Sequence, residues 1–114
     1  MVTVSRERFE EMVAEAITSL PDDLRSATDN VAVMVADRAP SGNLYGLYEG
    51  IPLTKRDSGY RMILPDRITI FQDTICEQCQ TEDEVAERVR ITVVHEFAHH
   101  FGIGDERLLE LGWA

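Results

Sequence analysis

The chain has 114 residues, of which 44% are hydrophobic and 28% charged, and this length and balance predict one domain over residues 1–114 with a single core. Its formal net charge of -10, from 21 acidic and 11 basic side chains, argues against nucleic acid or anionic lipid as a partner, although it attracts cations. Because no apolar run is long enough for a signal peptide or a membrane span, we expect a cytoplasmic protein without a membrane partner.

The first third of the chain predicts a helix and then a strand. Ser5 can cap a helix whose apolar residues, from Phe9 to Leu20, follow the i, i+3, i+4, i+7 spacing of one buried stripe. A short second helix is possible at 21–27, where acidic residues occupy the first turn. The β-branched run Val31–Asp37 is typical of a buried strand.

The middle of the chain, residues 41–73, is punctuated by glycines and contains two further strand candidates, near Arg61–Leu64 and Ile68–Gln72. After it, Cys76 and Cys79 have a CxxC spacing that could chelate a metal, cycle between redox states or form a disulfide. Neither a second ligand pair nor a βαβ context accompanies them. We therefore interpret both cysteines as packing residues in a helical turn or loop.

The last third predicts a long helix. Thr81 followed by Glu84 forms a capping-box signature, and the chain is then free of glycine and proline until Gly102, so we expect about six helical turns. A final short helix could be capped by Asp105, and Trp113 near the C-terminus is interpreted as a packing residue.

All three histidines of the chain lie on this long helix. At 3.6 residues per turn, His95 and His99 are about 40° apart around the helix axis, so both imidazoles can converge on one point. Glu96 is about 60° from His99, close enough to act as a base on a water at that point. His100 is about 140° from His95, which favours a packing role over a ligand role.

The other helical positions agree with an anchored helix that is open on one side. Val94, Phe97, Ala98 and Phe101 form an opposite, apolar face, which leaves the histidines and Glu96 towards a cleft. Gly102 can end the helix in a left-handed conformation and let the chain turn back. That turn can bring Asp105 round to face the two imidazoles as a third, anionic ligand.

Three protein ligands and one open position are the arrangement of catalytic zinc, whereas structural zinc has four protein ligands. We therefore predict one zinc ion held by His95, His99 and Asp105, although imidazole with carboxylate also accepts iron, nickel or manganese. The ion would lower the pKa of a bound water towards about 7 and polarise a substrate carbonyl. Glu96, as the catalytic residue, would take the proton from that water and pass it to the leaving amine.

The stretch HEFAHHFGIGD matches HExxHxxGxxD, the signature of zincin metallopeptidases whose third ligand is an aspartate. With LYGLYEGIPL and PDRITIF before it, the chain resembles a small bacterial family of minimal-zincin metallopeptidase-like proteins. The resemblance implies an α+β fold in which a small sheet packs with an N-terminal helix and a long active-site helix. It also implies a peptide or protein substrate extended along an edge strand, for which Arg67–Gln72 is a candidate, although it could equally be an interior strand.

Zinc-dependent peptide hydrolysis is therefore the first interpretation. The alternative is a non-proteolytic regulatory or interaction protein that keeps the metal site, since so small a scaffold lacks most of the second lobe that walls larger zincin clefts. A CxxC redox module ranks far lower. Tyr45 and Tyr48, in a glycine-flanked segment, could bring a hydroxyl to a developing oxyanion, although tyrosines in such segments more often cover the core.

Overall fold

A computed structural model describes residues 1–20, 22, 31–50, 66–100, 106 and 110, and its described segments contain three helices and a three-stranded sheet. The elements, in chain order, are α1 (Arg6–Thr18), β1 (Val31–Ala36), β2 (Gly46–Glu49), β3 (Asp66–Phe71), α2 (Gln72–Gln78) and α3 (Glu82–His100). This is the predicted α+β class. The predicted helix at 21–27, the strand at 61–64 and the last helix lie outside the described residues, apart from residues 22, 106 and 110.

Helix α1 begins and packs as its sequence predicts. The Ser5 hydroxyl accepts a hydrogen bond from the backbone N–H of Arg8 at 3.1 Å, which satisfies one of the free donors of the first turn. The apolar stripe faces the core, where Phe9 is fully buried and Met12, Val13 and Ala16 are nearly so. The predicted cap and the predicted buried face are both confirmed.

Helix α3 begins with part of the predicted capping box. The Thr81 hydroxyl accepts from the backbone N–H of Glu84 at 3.2 Å, while the Glu84 carboxylate accepts from the N–H of Gln80 instead of that of Thr81. Its 19 residues make about five turns up to His100, the last residue described in this segment, whereas about six turns were predicted. Within the described part of the chain, no helix is long and apolar enough to cross a membrane.

The sheet has the strand order β1-β3-β2, so β3 is its central strand. Strand β1 pairs with β3 in parallel, with Val33 opposite Ile68, and β2 pairs with β3 antiparallel, with Tyr48 opposite Ile68. Of the two alternatives for Arg67–Gln72, the interior strand is therefore confirmed and the edge strand is wrong, because β3 has a neighbour on each side. Among the described strands, the edge next to α3 is β2.

The strand β3 runs directly into α2, a helix that the sequence did not predict beyond a possible turn at the cysteines. Cys76 lies in its last turn and Cys79 caps its C-terminal end, and both side chains are buried in the core. Burial raises the pKa of both thiols, so little of either is present as the nucleophilic thiolate near neutral pH. Their interpretation as packing residues agrees with the structure.

The core lies between the sheet and the two longer helices, α1 and α3. Helix α3 presents one apolar side to it, on which Val85, Val89 and Val93 are fully buried. The predicted apolar face is confirmed for Val94, Phe97 and Ala98, whereas Phe101 lies outside the described residues. The other fully buried side chains of the core are Phe9, Ile68, Ile70 and Ile75.

Helix α3 comes very close to the edge strand at Gly46. A Cβ atom on Gly46 would lie 2.8 Å from Thr92 Cγ2, which is too short for a real carbon contact, and 3.1 Å from Glu96 Cγ, which is tighter than most. Only glycine therefore lets β2 lie directly against this face of the helix.

The C-terminal end of α3 is held to the sheet by a buried polar cluster of three side chains. His100 Nδ1 lies 2.6 Å from Asp66 Oδ2, and the Tyr48 hydroxyl donates to the same oxygen at 2.8 Å. His100 and Asp66 are each 2% exposed. Because the carboxylate oxygen serves as acceptor for the Tyr48 hydroxyl, Nδ1 of His100 is assigned as the second donor to it. His100 therefore has the packing role predicted for it.

We expect His100→Ala to lower the free energy of unfolding by about 3–5 kcal/mol, because it removes a buried donor from Asp66 and leaves a cavity. Tyr48→Phe removes only one hydroxyl and should cost about 1 kcal/mol. Urea unfolding followed by circular dichroism measures both values. Similar small losses in the two variants would show that His100 does not carry the attachment of α3 to the sheet.

We expect Gly46→Ala to destabilise the protein by about 1–3 kcal/mol, because the added methyl group overlaps with Thr92 and Glu96. Thr92→Ala removes Cγ2, the nearest of these atoms, and is measured alone and combined with Gly46→Ala. The double variant should lose less free energy of unfolding than the two single variants lose in sum. Additive losses in thermal or urea unfolding would contradict a direct contact.

Candidate metal and catalytic site

Helix α3 brings His95, Glu96 and His99 together on one side. Each offers a ligand atom, and these atoms all lie within 4.8 Å of one another. The two imidazole rings are 4.6 Å apart between centroids at an angle of 69°. The i, i+4 spacing places the histidines one turn apart, so the convergence expected from the helical geometry is present.

The donor set of these three residues fits a zinc ion. Zinc binds imidazole nitrogen and carboxylate oxygen at about 2.0–2.2 Å, so two ligand atoms on one tetrahedral ion are about 3.3 Å apart. The ligand atoms of this group lie within 4.8 Å of one another, so a bound ion would require the side chains to turn closer together. Imidazole and carboxylate are also ligand types that zinc accepts.

Glu96 is more buried than its predicted place on the open side of the helix suggests. Its side chain is 9% exposed, and its Oε1 lies 3.3 Å from His99 Nδ1. Gly46 contributes to this burial, since a strand without a side chain at this position lies close to Cγ of Glu96. Glu96 is thus largely shielded from bulk water, although it still lines the groove described next.

A groove leads along α3 to these residues. One wall is formed by residues 43–46, and the other by the side of α3 that runs from Arg88 to Glu96. Its volume is about 410 Å³, large enough for several amino-acid side chains. Leu44, which is 44% exposed, contributes an apolar surface to the rim. The groove is the cleft that the sequence predicts on the side of α3 opposite its core face.

The remaining predicted site residues have different outcomes. Asp105 and Gly102 lie outside the described residues, as does Trp113. The Tyr48 hydroxyl is directed to Asp66, which agrees with a structural role better than with an oxyanion role. Tyr45 packs against the core and also lines the groove, so it remains near the candidate site.

Three residues of this region were not singled out from the sequence: Gly46, Asp66 and Arg88. Gly46 and Asp66 matter because of contacts with α3, and Asp66 is 34 positions away from the histidine it binds. Spacing along the chain carries no signal for such contacts. Arg88 did carry a usable signal, because it lies seven residues before His95 and therefore close to the same side of the helix.

A comparison with known families identifies the family of the chain. The family model described as "Zincin-like metallopeptidase" matches residues 28–113, which is most of the chain and includes the whole sheet, α2 and α3. No curated protein matches the chain. Zincins typically bind zinc, in accord with the donor set on α3. The protein therefore belongs to the zincin-like metallopeptidase family.

Proposed function

We propose that the protein is a zinc-dependent peptidase that hydrolyses peptide bonds at the end of the groove along α3. The observation that supports this most is the grouping of two imidazoles and a shielded carboxylate within 4.8 Å, at one end of that groove. Membership of the zincin-like metallopeptidase family supports the same chemistry. Its substrate is then a peptide or an extended segment of a protein.

His95 and His99 would hold the zinc ion, and Asp105 is proposed as the third protein ligand from its place in the HExxHxxGxxD pattern. When bound, zinc supplies Lewis-acid chemistry, which makes a water more acidic and polarises a peptide carbonyl. Three protein ligands leave a position open for reacting molecules, as catalytic sites require.

Glu96 is proposed as the general base and, later, the general acid. Its carboxylate would accept a proton from the attacking water and donate it to the nitrogen of the leaving amine. The cover provided by Gly46 keeps bulk water from much of this side chain, so a proton taken from the reactants is less readily lost to solvent. The contact with His99 also restrains the carboxylate beside the metal-binding group.

The substrate backbone is proposed to lie along β2. Residues 43–46 form one wall of the groove, and among the described strands β2 pairs with β3 alone. Addition of a peptide strand at a sheet edge uses backbone hydrogen bonds for affinity and side-chain pockets for specificity. A peptide bound there passes the His95 and Glu96 end of the groove.

We expect about one zinc ion per chain, measured by equilibrium dialysis followed by elemental analysis. The variant His95→Ala/His99→Ala should lose this binding, because two of the three proposed ligands are absent. Glu10→Ala, on the exposed side of α1, is the control and should bind zinc like the wild type. Unchanged zinc binding in the double variant would contradict the proposed site.

Asp105 requires its own comparison, because it could be a ligand or only the cap of a last helix. As a ligand, its replacement by alanine should weaken zinc binding with little change in the stability of the metal-free protein. As a cap, its loss should cost about 1 kcal/mol of stability and leave zinc affinity unchanged.

We expect Glu96→Gln to keep zinc binding and to lower hydrolysis by about 10²–10⁴-fold, because glutamine retains the shape of the side chain without its basicity. Cleavage of broad peptide pools, with zinc present, is the measurement. Glu87→Gln, an exposed change on the same helix, should retain full activity. Full activity of Glu96→Gln would refute this mechanism, and an inactive wild type that binds zinc would favour the non-proteolytic alternative.

A further inference from the structure

Arg88 differs from the other arginines of the described segments in its ionic partners. Each of the other five forms an ion pair with a carboxylate: Arg6, Arg8, Arg38, Arg67 and Arg90. Within the same segments, Arg88 forms none. In a chain with nearly twice as many acidic as basic side chains, a half-buried arginine without a paired carboxylate is unusual.

The Arg88 side chain is held in the groove by an aromatic contact. Its guanidinium carbon lies 5.2 Å from the centroid of the Tyr45 ring, within the range of a cation–π interaction. Both residues line the groove that leads to His95 and Glu96. Because Tyr45 restrains the side chain, less rotamer entropy is lost when the guanidinium binds an anion.

Helix geometry gives the distance between Arg88 and the proposed reaction site. Arg88 precedes His95 and Glu96 by seven and eight residues, which corresponds to about 10–12 Å along the helix axis. An extended peptide advances about 3.3 Å per residue. A substrate group bound by Arg88 therefore belongs to a residue about three positions from the bond that is cleaved. The carboxylate of a terminal residue next to that bond would be too far away to reach Arg88.

The direction of β2 indicates which side of that bond faces Arg88. Tyr45, just before β2, contacts Arg88, and Gly46 at its start lies against Thr92 and Glu96. Further along β2, Tyr48 contacts His100. The strand therefore runs in the same direction as α3. Antiparallel pairing is slightly more stable than parallel pairing. A peptide antiparallel to β2 would direct its C-terminal half towards Arg88.

The net charge of the protein opposes an anionic ligand, and Glu84 and Glu87 lie within about one helical turn of Arg88. Glu87 is paired with Arg90 at 2.6 Å, whereas Glu84 accepts the backbone N–H of Gln80 at 3.1 Å and keeps its charge. More distant charges are screened over about 8–10 Å at physiological salt. Binding of an anionic group here therefore requires that direct contact with the Arg88 guanidinium outweigh the repulsion from Glu84.

We propose that Arg88 determines specificity and selects peptides with Asp or Glu about three residues C-terminal to the cleaved bond. This inference rests on the proposed function, and it assigns a substrate class to the same groove. The guanidinium would bind the substrate carboxylate through paired N–H donors while its face stays on the Tyr45 ring.

The test is a cleavage profile of a random peptide pool, with the cut positions identified by mass spectrometry. Wild type should enrich acidic residues about three positions after the cut, with kcat/KM about three- to tenfold higher for a Glu peptide than for its Gln counterpart. Arg88→Gln should lose this preference. Arg38→Gln removes the same charge from a residue outside the groove and should keep it.

A binding measurement separates this proposal from hydrolysis itself. A fluorescein-labelled Ala/Val peptide with one Glu, and its Gln counterpart, are titrated with each zinc-loaded protein and followed by anisotropy. Tighter binding of the Glu peptide that depends on Arg88 but not on Arg38 supports the acidic-peptide site, even if nothing is cleaved. Cleavage without an acidic preference would overturn this proposal while hydrolysis stands, and equal binding of both peptides without cleavage would overturn both.

Discussion

The hydrogen bond between His100 and Asp66 sets the rotation of α3 about its own axis. One residue of an α-helix accounts for about 100° of rotation, so anchoring His100 inward determines where His99, Glu96 and His95 point. Val93 and His100 lie on the same buried side of the helix. Apolar contact alone would permit small rotations of α3, and the hydrogen bond from His100 to Asp66 in β3 prevents them at the C-terminal end. The geometry of the candidate metal site thus depends on a buried pair that contains none of its proposed ligands.

The contact at Gly46 has a second effect on the same site. It brings the edge strand close enough to shield Glu96 and, at the same time, forms the wall of the groove. A larger residue at this position would move β2 away, which would widen the groove and hydrate the carboxylate. Gly46 therefore affects both the proposed placement of a substrate along β2 and the surroundings of Glu96, the proposed base.

Features that repeat along the chain could be predicted from sequence, whereas contacts between distant segments could not. The 3.6-residue periodicity gave the buried face of α1, the apolar face of α3 and the proximity of His95 to His99, because neighbours on a helix are determined locally. The alternation in β3 could not show whether it was central or at an edge, since this depends on pairing with β1 and β2. The burial of Glu96 was missed for a similar reason, as the strand that covers it lies about 50 residues earlier in the chain.

If the proposed function holds, a chain of this size builds its peptide site from few elements, and α3 carries most of it. The same helix offers the two imidazoles, the carboxylate and, about two turns earlier, the guanidinium of Arg88. The Arg88 guanidinium needs to remain separate from the metal-binding residues, because a cation close to the histidines would compete with a metal ion. The spacing of seven residues between Arg88 and His95 is about 10 Å, roughly one Debye length at physiological salt, so repulsion between Arg88 and a bound dication is weak. The acidic character of the whole chain favours the metal, while Arg88 provides a positive position where the far end of a peptide would bind.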